Sequence, residues 1–260
     1  MAWNAFKSVM CRCEEVIPML WLDIGNSRMK WLYGTAADEH GGALAYQQPD
    51  DLQSAPIWQA IPKGTPVWAS SVANPSVRQA VETAAKQIAD ANVHWARSEQ
   101  ERNGLRNSYQ EISRLGVDRW MVMLAAWQQE QSAFVVVDAG SAITVDYVDG
   151  NGQHLGGHIV PGLNLMTRAL FSGTANVKFN ALNWGEIGPG KSTEQCVHHG
   201  VFAMATGYLE YVLAQWPGAR EARWLITGGD ALRLQSALSI EAEWRPNLVI
   251  EGLQIFAEER

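Results

Sequence analysis

The chain predicts an α/β protein built from two related halves with mixed central sheets, and three observations carry that prediction. First, Asp23-Ile24-Gly25-Asn26-Ser27 and Asp138-Ala139-Gly140-Ser141-Ala142 repeat one pattern, with Gly two residues after Asp and a hydroxyl soon after. Second, each pattern follows a short apolar run (19–22 and 134–137) and re-enters an extended segment (28–33 and 143–148). Third, the order strands-then-helices occurs twice along the chain. One such motif is common; two framed by matching strands suggest related half-molecules facing one ligand.

Residues 19–22, 28–33 and 43–47 read as three strands joined by tight turns. A short strand at 66–70 precedes Asn74-Pro75, a helix-start signal. Val77, Val81, Ala84, Ala85 and Ile88 then share one helical face. Residues 93–96 read as a fifth strand. Residues 119–128 are apolar at nearly every position, which predicts a deeply buried helix between the halves. The second half opens with strands at 134–137, 143–148 and 154–159. A helix is expected after Pro161-Gly162, and a longer one from Thr193 to Gln215, with Ser192 and Gln195 offering a capping box. Residues 224–227 form a late strand ending in Gly228-Gly229-Asp230. Residues 248–250 read as a last strand before a C-terminal helix. This series, given twice, resembles the duplicated ribonuclease-H-like domains of actin-like ATPases, a likeness that fixes no substrate. The division expected is 1–18, 19–128 and 129–260. Lys7, Arg12, Glu14 and Glu15 break any secretory signal in residues 1–18, which read as an extension that is disordered or not native, with Met19 an alternative start.

Composition excludes several classes of function. The chain has 260 residues, 47% hydrophobic and 18% charged, with ample material for a core. A net charge of −7 argues against sequence-independent nucleic-acid binding. Cys11, Cys13 and Cys196 make no disulfide framework and point to a reducing, cytoplasmic setting. No apolar run approaches the roughly 20 residues needed to span a bilayer.

The two Asp-x-Gly loops suit phosphate binding. Gly has no Cβ to hold a phosphate away, and hydroxyl or amide side chains add donors. The Asp at each strand end can hold a cation, directly or through water. Asp118, in Gly116-Val117-Asp118-Arg119-Trp120, falls in the first turn of the buried helix, where the helix dipole favours a carboxylate. With Asp23-x-Gly25-Asn26-Ser27-x-x-Lys30, Asp138-x-Gly140-Ser141-Ala142, Gly156-Gly157-x-Ile159-x-Pro161-Gly162 and Gly190-Lys191-Ser192-Thr193, this set resembles the type III pantothenate kinases over essentially the whole chain from Met19.

That resemblance implies phosphorylation of the primary hydroxyl of pantothenate by ATP, the first step toward coenzyme A, in a homodimer needing Mg²⁺ and K⁺ or NH₄⁺. It implies Asp118 as the general base, and Asp23, Gly25, Asn26, Ser27, Lys30 and Ser141 as the ATP phosphate site. It implies Tyr109, Gly116, Val117, Arg119 and Thr193 as pantothenate-binding residues, and Asp138 as the monovalent-cation ligand. Ser27 and Ser141 stand where the family often has Thr, and both keep the hydroxyl.

The chemistry fits without the name. Phosphoryl transfer asks mainly for positioning and charge neutralisation, and a third carboxylate can deprotonate an alcohol. Arg119 is expected to pair with the substrate's carboxylate. Gly228-Gly229-Asp230 is the adenosine-side candidate. Adjacent His198 and His199 point to different helix faces, so they read as structural or dimer-facing. Of twelve Trp residues, Trp58, Trp68, Trp95 and Trp184 are expected in the core or a subunit interface. The competing readings are another small-molecule kinase of the same superfold, a non-catalytic regulator, and a bare ATPase. The three carboxylates favour catalysis over a regulator that has lost it.

Overall fold

The computed structural model describes residues 17–35, 38–172 and 185–258. Residues 1–16, with Cys11 and Cys13, and Trp184 lie outside the described residues.

The first half opens with β1 (Met19–Ile24), β2 (Arg28–Thr35) and β3 (Asp38–Ala45), an antiparallel meander. β3 thus begins and ends earlier than the strand expected at 43–47. A 3₁₀ turn (Pro49–Ser54) and the short α1 (Ile57–Ala60) lead to β4 (Val67–Ser71). Helix α2 (Pro75–Ala89) starts as its signal predicts: Pro75 opens it and the Asn74 side chain accepts the Val77 amide at 3.2 Å. It ends at Asp90, in the left-handed region with φ 47°. β5 (Val93–Trp95) completes the sheet. A small hairpin, β6 (Glu101–Arg102) and β7 (Leu105–Arg106), then leads to α3 (Val117–Gln129).

The second half repeats the plan. It has β8 (Phe134–Ala139), β9 (Ala142–Val148), β10 (His154–Pro161), α4 (Leu163–Ser172), α5 (Thr193–Gln215), β11 (Arg223–Thr227), α6 (Ala231–Gln235), β12 (Glu243–Trp244) and α7 (Leu248–Ala257). The sheet orders are β3-β2-β1-β4-β5 and β10-β9-β8-β11-β12. In each, the strand carrying the Asp pairs antiparallel with the next strand and parallel with the one beyond the meander. The sheets are therefore mixed, and each central strand is apolar nearly throughout because both of its faces are covered.

Residues 248–250, read as a strand, are instead the first turn of α7. The run Leu248-Val249-Ile250 is apolar because that turn is buried, and a short buried run has no period that separates strand from helix. α7 also leaves the half it follows in sequence: it packs on α3 and on β1 and β4 of the first sheet. Gly252 permits the crossing, since a Cβ there would meet the Met121 backbone, with the Met121 Cα 2.8 Å away.

Helix α3 is buried from Arg119 to Trp127, as its composition predicts, and it packs on both β4 and β8. The Ser192 cap of α5 forms, with the Gln195 amide at 3.2 Å. Its reciprocal arm reaches one residue further than a capping box requires, to the Lys191 amide at 2.8 Å. Trp58 and Trp68 are core residues. Trp95 is half-buried, stacks under Arg78 and donates to Glu82. Among the described residues, no helix is long and apolar enough to cross a membrane.

Candidate active site

Asp23 and Asp138 are each the next-to-last residue of a central strand, β1 and β8. Their surroundings correspond strand by strand. Asp23 lies opposite Lys30 on the antiparallel neighbour and Ser70 on the parallel one. Asp138 lies opposite Thr144 and Thr227 in the same two places. Each loop then folds tightly back: the Gly25 amide donates to the Arg28 carbonyl at 3.0 Å, and the Gly140 amide to the Ala142 carbonyl at 2.9 Å. The Tyr46 hydroxyl donates to the Gly25 carbonyl and fixes the first loop from below. At the tips, Ser27 Oγ and Ser141 Oγ lie 3.0 Å apart. Asn26, Ser27 and Ser141 are exposed there, so their polar groups are accessible to a ligand.

Asp118 approaches the same place from α3. Its Oδ1 accepts the Arg119 amide at 2.7 Å, which turns the carboxylate back over the helix N-terminus. Gly116 makes room for this, because a Cβ there would sit 2.6 Å from that oxygen. Three carboxylates thus act on one another. Burial, then Asp118 and Asp23, push Asp138 up to about 7. Burial and Asp118 push Asp23 up to about 6, against the pull of Lys30 across the strand pair. Burial also raises Asp118, while the Arg119 amide and charge pull it down. Such a set binds protons more readily than ordinary carboxylates, which is the mark of a site short of positive charge.

Among the described residues, no three His, Cys, Asp or Glu side chains converge closely enough to hold a metal by themselves. A cation at Asp23 or Asp138 would take its remaining ligands from phosphate, backbone or water, the usual manner of Mg²⁺ at nucleotides. Each loop offers one half-buried carboxylate, which suits that role.

Lys30, half-buried, extends its ammonium to the Pro246 carbonyl at 3.4 Å. Gly228, at φ 95°, lets β11 turn directly over the second loop, with Asp138 Oδ1 2.5 Å from where a Cβ would be. Asp230 then donates its amide to the Ala139 carbonyl. His198 is buried and His199 bonds the Gly188 carbonyl at 2.6 Å.

Thr193 is not part of this cluster. It opens α5 and lines a separate cleft of about 900 Å³ with Leu170, Cys196, Val197 and Met204.

Arg119, expected to pair with a substrate carboxylate, has partners within the chain. Arg119 Nε and Nη2 contact Asp146 at 2.8 and 2.5 Å, and Nη1 donates to the Tyr109 hydroxyl at 2.9 Å. The face formed by Nε and Nη2 is therefore taken by a buried residue of the chain itself. Asp146 and its second partner, His154, were not singled out by sequence. Both sit in strands whose extended pattern is otherwise ordinary. The available signal was a charged residue interrupting the apolar run Ile143–Val148, where the core admits a charge only if it is paired.

The sequence profile of the type III pantothenate kinases matches residues 19–215. The chain belongs to this family. A type III pantothenate kinase of Marinobacter nauticus is 37% identical over 92% of this chain and 98% of its own. One from Alcanivorax borkumensis is 33% identical over 91% and 97%. Among solved structures, a conserved putative Baf family transcriptional activator from Campylobacter jejuni superposes with a TM-score of 0.56 at 22% identity, covering 93% of this chain and 98% of its own. MreB 5 of Spiroplasma citri, bound to AMPPNP, gives 0.51 at 13% identity, covering 94% and 97%. These structural likenesses concern the fold, which is that of the actin-like ATPases and sugar kinases. The chain is a kinase of that fold.

Proposed function

We propose that this kinase transfers the terminal phosphoryl group of ATP to the primary hydroxyl of pantothenate, giving 4'-phosphopantothenate for coenzyme A synthesis. The observation that carries the reading is the placement of Asp118: a raised carboxylate on the interdomain helix, within electrostatic reach of an Asp-x-Gly loop from each half.

In this reading the loops at Asp23–Ser27 and Asp138–Ser141 hold the phosphate chain, with backbone amides and the hydroxyls of Ser27 and Ser141 as donors. Lys30 supplies charge opposite Asp23. Mg²⁺ at the phosphates and K⁺ or NH₄⁺ at Asp138 would neutralise charge there. Asp118 accepts the hydroxyl proton as the alcohol attacks in line. Its raised affinity for protons brings it closer to the operating pH, where a general base is most effective. Gly116, Val117, Tyr109 and Arg119 line the acceptor side. Arg119 takes part through its Nη1 edge and the Tyr109 hydroxyl rather than through its paired face. Closing the halves would exclude water, the competing acceptor. A cytoplasmic homodimer, with pantothenate and Thr193 near the subunit boundary, completes the reading.

A coupled assay of ADP release, with and without pantothenate, in K⁺ and then Na⁺ buffer, tests it. Release that depends on pantothenate and on K⁺ is expected. ADP release indifferent to pantothenate would overturn the substrate, and equal rates in the two buffers would overturn the monovalent-cation site.

A further inference from the structure

We propose that Asp146, held in turn by His154, is a positioning residue for the acceptor substrate: it fixes the Arg119 guanidinium so that its Nη1 edge and the Tyr109 hydroxyl meet that substrate at one place. The proposal rests on the pantothenate reading and adds two residues to its site.

The geometry is a closed chain of contacts. Asp146 Oδ2 accepts Arg119 Nε at 2.8 Å, and Oδ1 accepts Arg119 Nη2 at 2.5 Å. Oδ1 also lies 3.0 Å from His154 Nε2, while Ser108 Oγ lies 3.1 Å from His154 Nδ1. The self-consistent arrangement has Nε2–H donating to Asp146 and Nδ1 accepting from Ser108. The His154 ring further stacks on Tyr109, with centroids 6.1 Å apart and planes 13° apart. His154 therefore supports both members of the substrate-facing pair, Arg119 through Asp146 and Tyr109 through its ring. Tyr109 accepts from Arg119, so its own O–H is left to donate outward. That donor, polarised by a guanidinium, suits a carboxylate or amide oxygen of the acceptor.

Side-chain exposure of Arg119, Asp146 and His154 is 5%, 1% and 0%. A buried ion pair is poor evidence for stability, because well-packed apolar residues often serve as well or better. What the pair supplies here is direction. A bidentate contact fixes the plane of the guanidinium, which a single contact or an apolar cavity does not. The backbone is shaped around it. Between His154 and Gly156 the β9–β10 register slips by one residue, so Gly157 lies opposite Asp146. Gly156 takes φ 110° at that bulge. A Cβ on Gly157 would sit 2.6 Å from Arg119 Nη2 and 2.5 Å from Asp146 Oδ1. Two glycines and a bulge thus let β10 close over the pair without displacing it.

Three full-length variants, Asp146→Asn, His154→Phe and His154→Gln, test the proposal by separate KM values for pantothenate and ATP. Asp146→Asn is expected to raise the pantothenate KM by about tenfold or more, since it removes a charge-assisted contact, with the ATP KM near that of the wild type. His154→Phe keeps the ring but deletes the donor to Asp146, and a rise of about threefold or more in the same KM is expected. His154→Gln can restore an N–H near the Nε2 position and should return the pantothenate KM toward the wild-type value. A folded Asp146→Asn protein with unchanged pantothenate KM overturns the proposal, as does an equal rise for both substrates. If Asp146→Asn does not fold, the His154 pair decides: failure of Phe to raise that KM, or of Gln to restore it, overturns the proposal. A wild-type enzyme whose ADP release ignores pantothenate would instead overturn the underlying reading of the substrate.

Discussion

Ser27 and Ser141, 114 positions apart, bring their hydroxyl oxygens to 3.0 Å at the tips of the two Asp-x-Gly loops. The contact joins the two repeated motifs one position out of step, Ser27 lying four residues after its Asp and Ser141 three. A neutral hydroxyl pair at an exposed point contributes little by itself, about 1 kcal/mol or less. Its consequence is geometric: both donors are within reach of one oxygen atom placed between the loops.

Exchange of that mutual contact for contacts to a phosphate predicts that Ser141→Ala raises the ATP KM several-fold, in keeping with about 1 kcal/mol for one lost hydrogen bond. The pantothenate KM should stay near wild type. Ser141→Thr keeps the donor and should retain activity. Steady-state kinetics on the two variants checks this, and equal losses for Ala and Thr would remove the hydroxyl from the argument.

Asp118→Asn is nearly isosteric and keeps an oxygen for the Arg119 amide that now bonds Oδ1. The fold and ATP binding should therefore persist while the base is lost. The expected effect is a fall in kcat of about 10²-fold or more. Turnover near wild type, with nucleotide binding intact by calorimetry, would exclude Asp118 as the base.

The raised carboxylates carry a pH dependence of definite sign. Asp138 lies at about 7 and Asp23 at about 6, both above the ordinary 3.8, with burial as the main cause. The native protein therefore holds these protons more tightly than the unfolded chain. Their contribution to stability is present below pH 4 and is lost as pH rises to about 7. Asp138→Asn removes one such charge and should stabilise the ligand-free protein at pH 8 by an amount on the order of 1 kcal/mol, about 2–4 °C in Tm, with little change at pH 4. Added K⁺ at pH 8 should raise the wild-type melting temperature more than that of the variant. Parallel melting curves for the two proteins across this range would count against the site.

Much of this was legible locally. The strands at 19–22, 134–137 and 224–227 are apolar runs, and each leads into a turn that carries a candidate site residue. Helix α3 was legible because a helix between two sheets is apolar all round. What escaped depends on distant partners. Nothing near Leu248 states that α7 will cross back to β1 and β4, so its first turn looked like another buried strand. The hairpin β6–β7 and the two-residue β12 are too short to show a period. Asp146 and His154 escaped because their meaning lies in Arg119, 27 positions from Asp146. An arginine beside a candidate base invites a substrate carboxylate as its partner, and only the folded chain reveals the carboxylate already there.

The last prediction concerns assembly. The edge strand β10 exposes Leu155 and Ile159, α4 exposes Leu165 and Leu170, and α5 exposes Met204 and Tyr211, all in the second half. Leu170 and Met204 also line the cleft of about 900 Å³ that holds Thr193. Large apolar side chains exposed together, as Leu170 and Met204 are at that cleft, mark a protein interface more often than a bare surface. A two-fold pair of identical chains is the commonest way to cover such a face. Light scattering at micromolar concentration should therefore give about twice the 28.7 kDa of one chain. Met204→Glu places a charge on that face and should shift the mass toward one chain, with a matching loss of pantothenate-dependent turnover if the substrate lies near the boundary. A fully active wild-type protein with the mass of a single chain would refute the dimer.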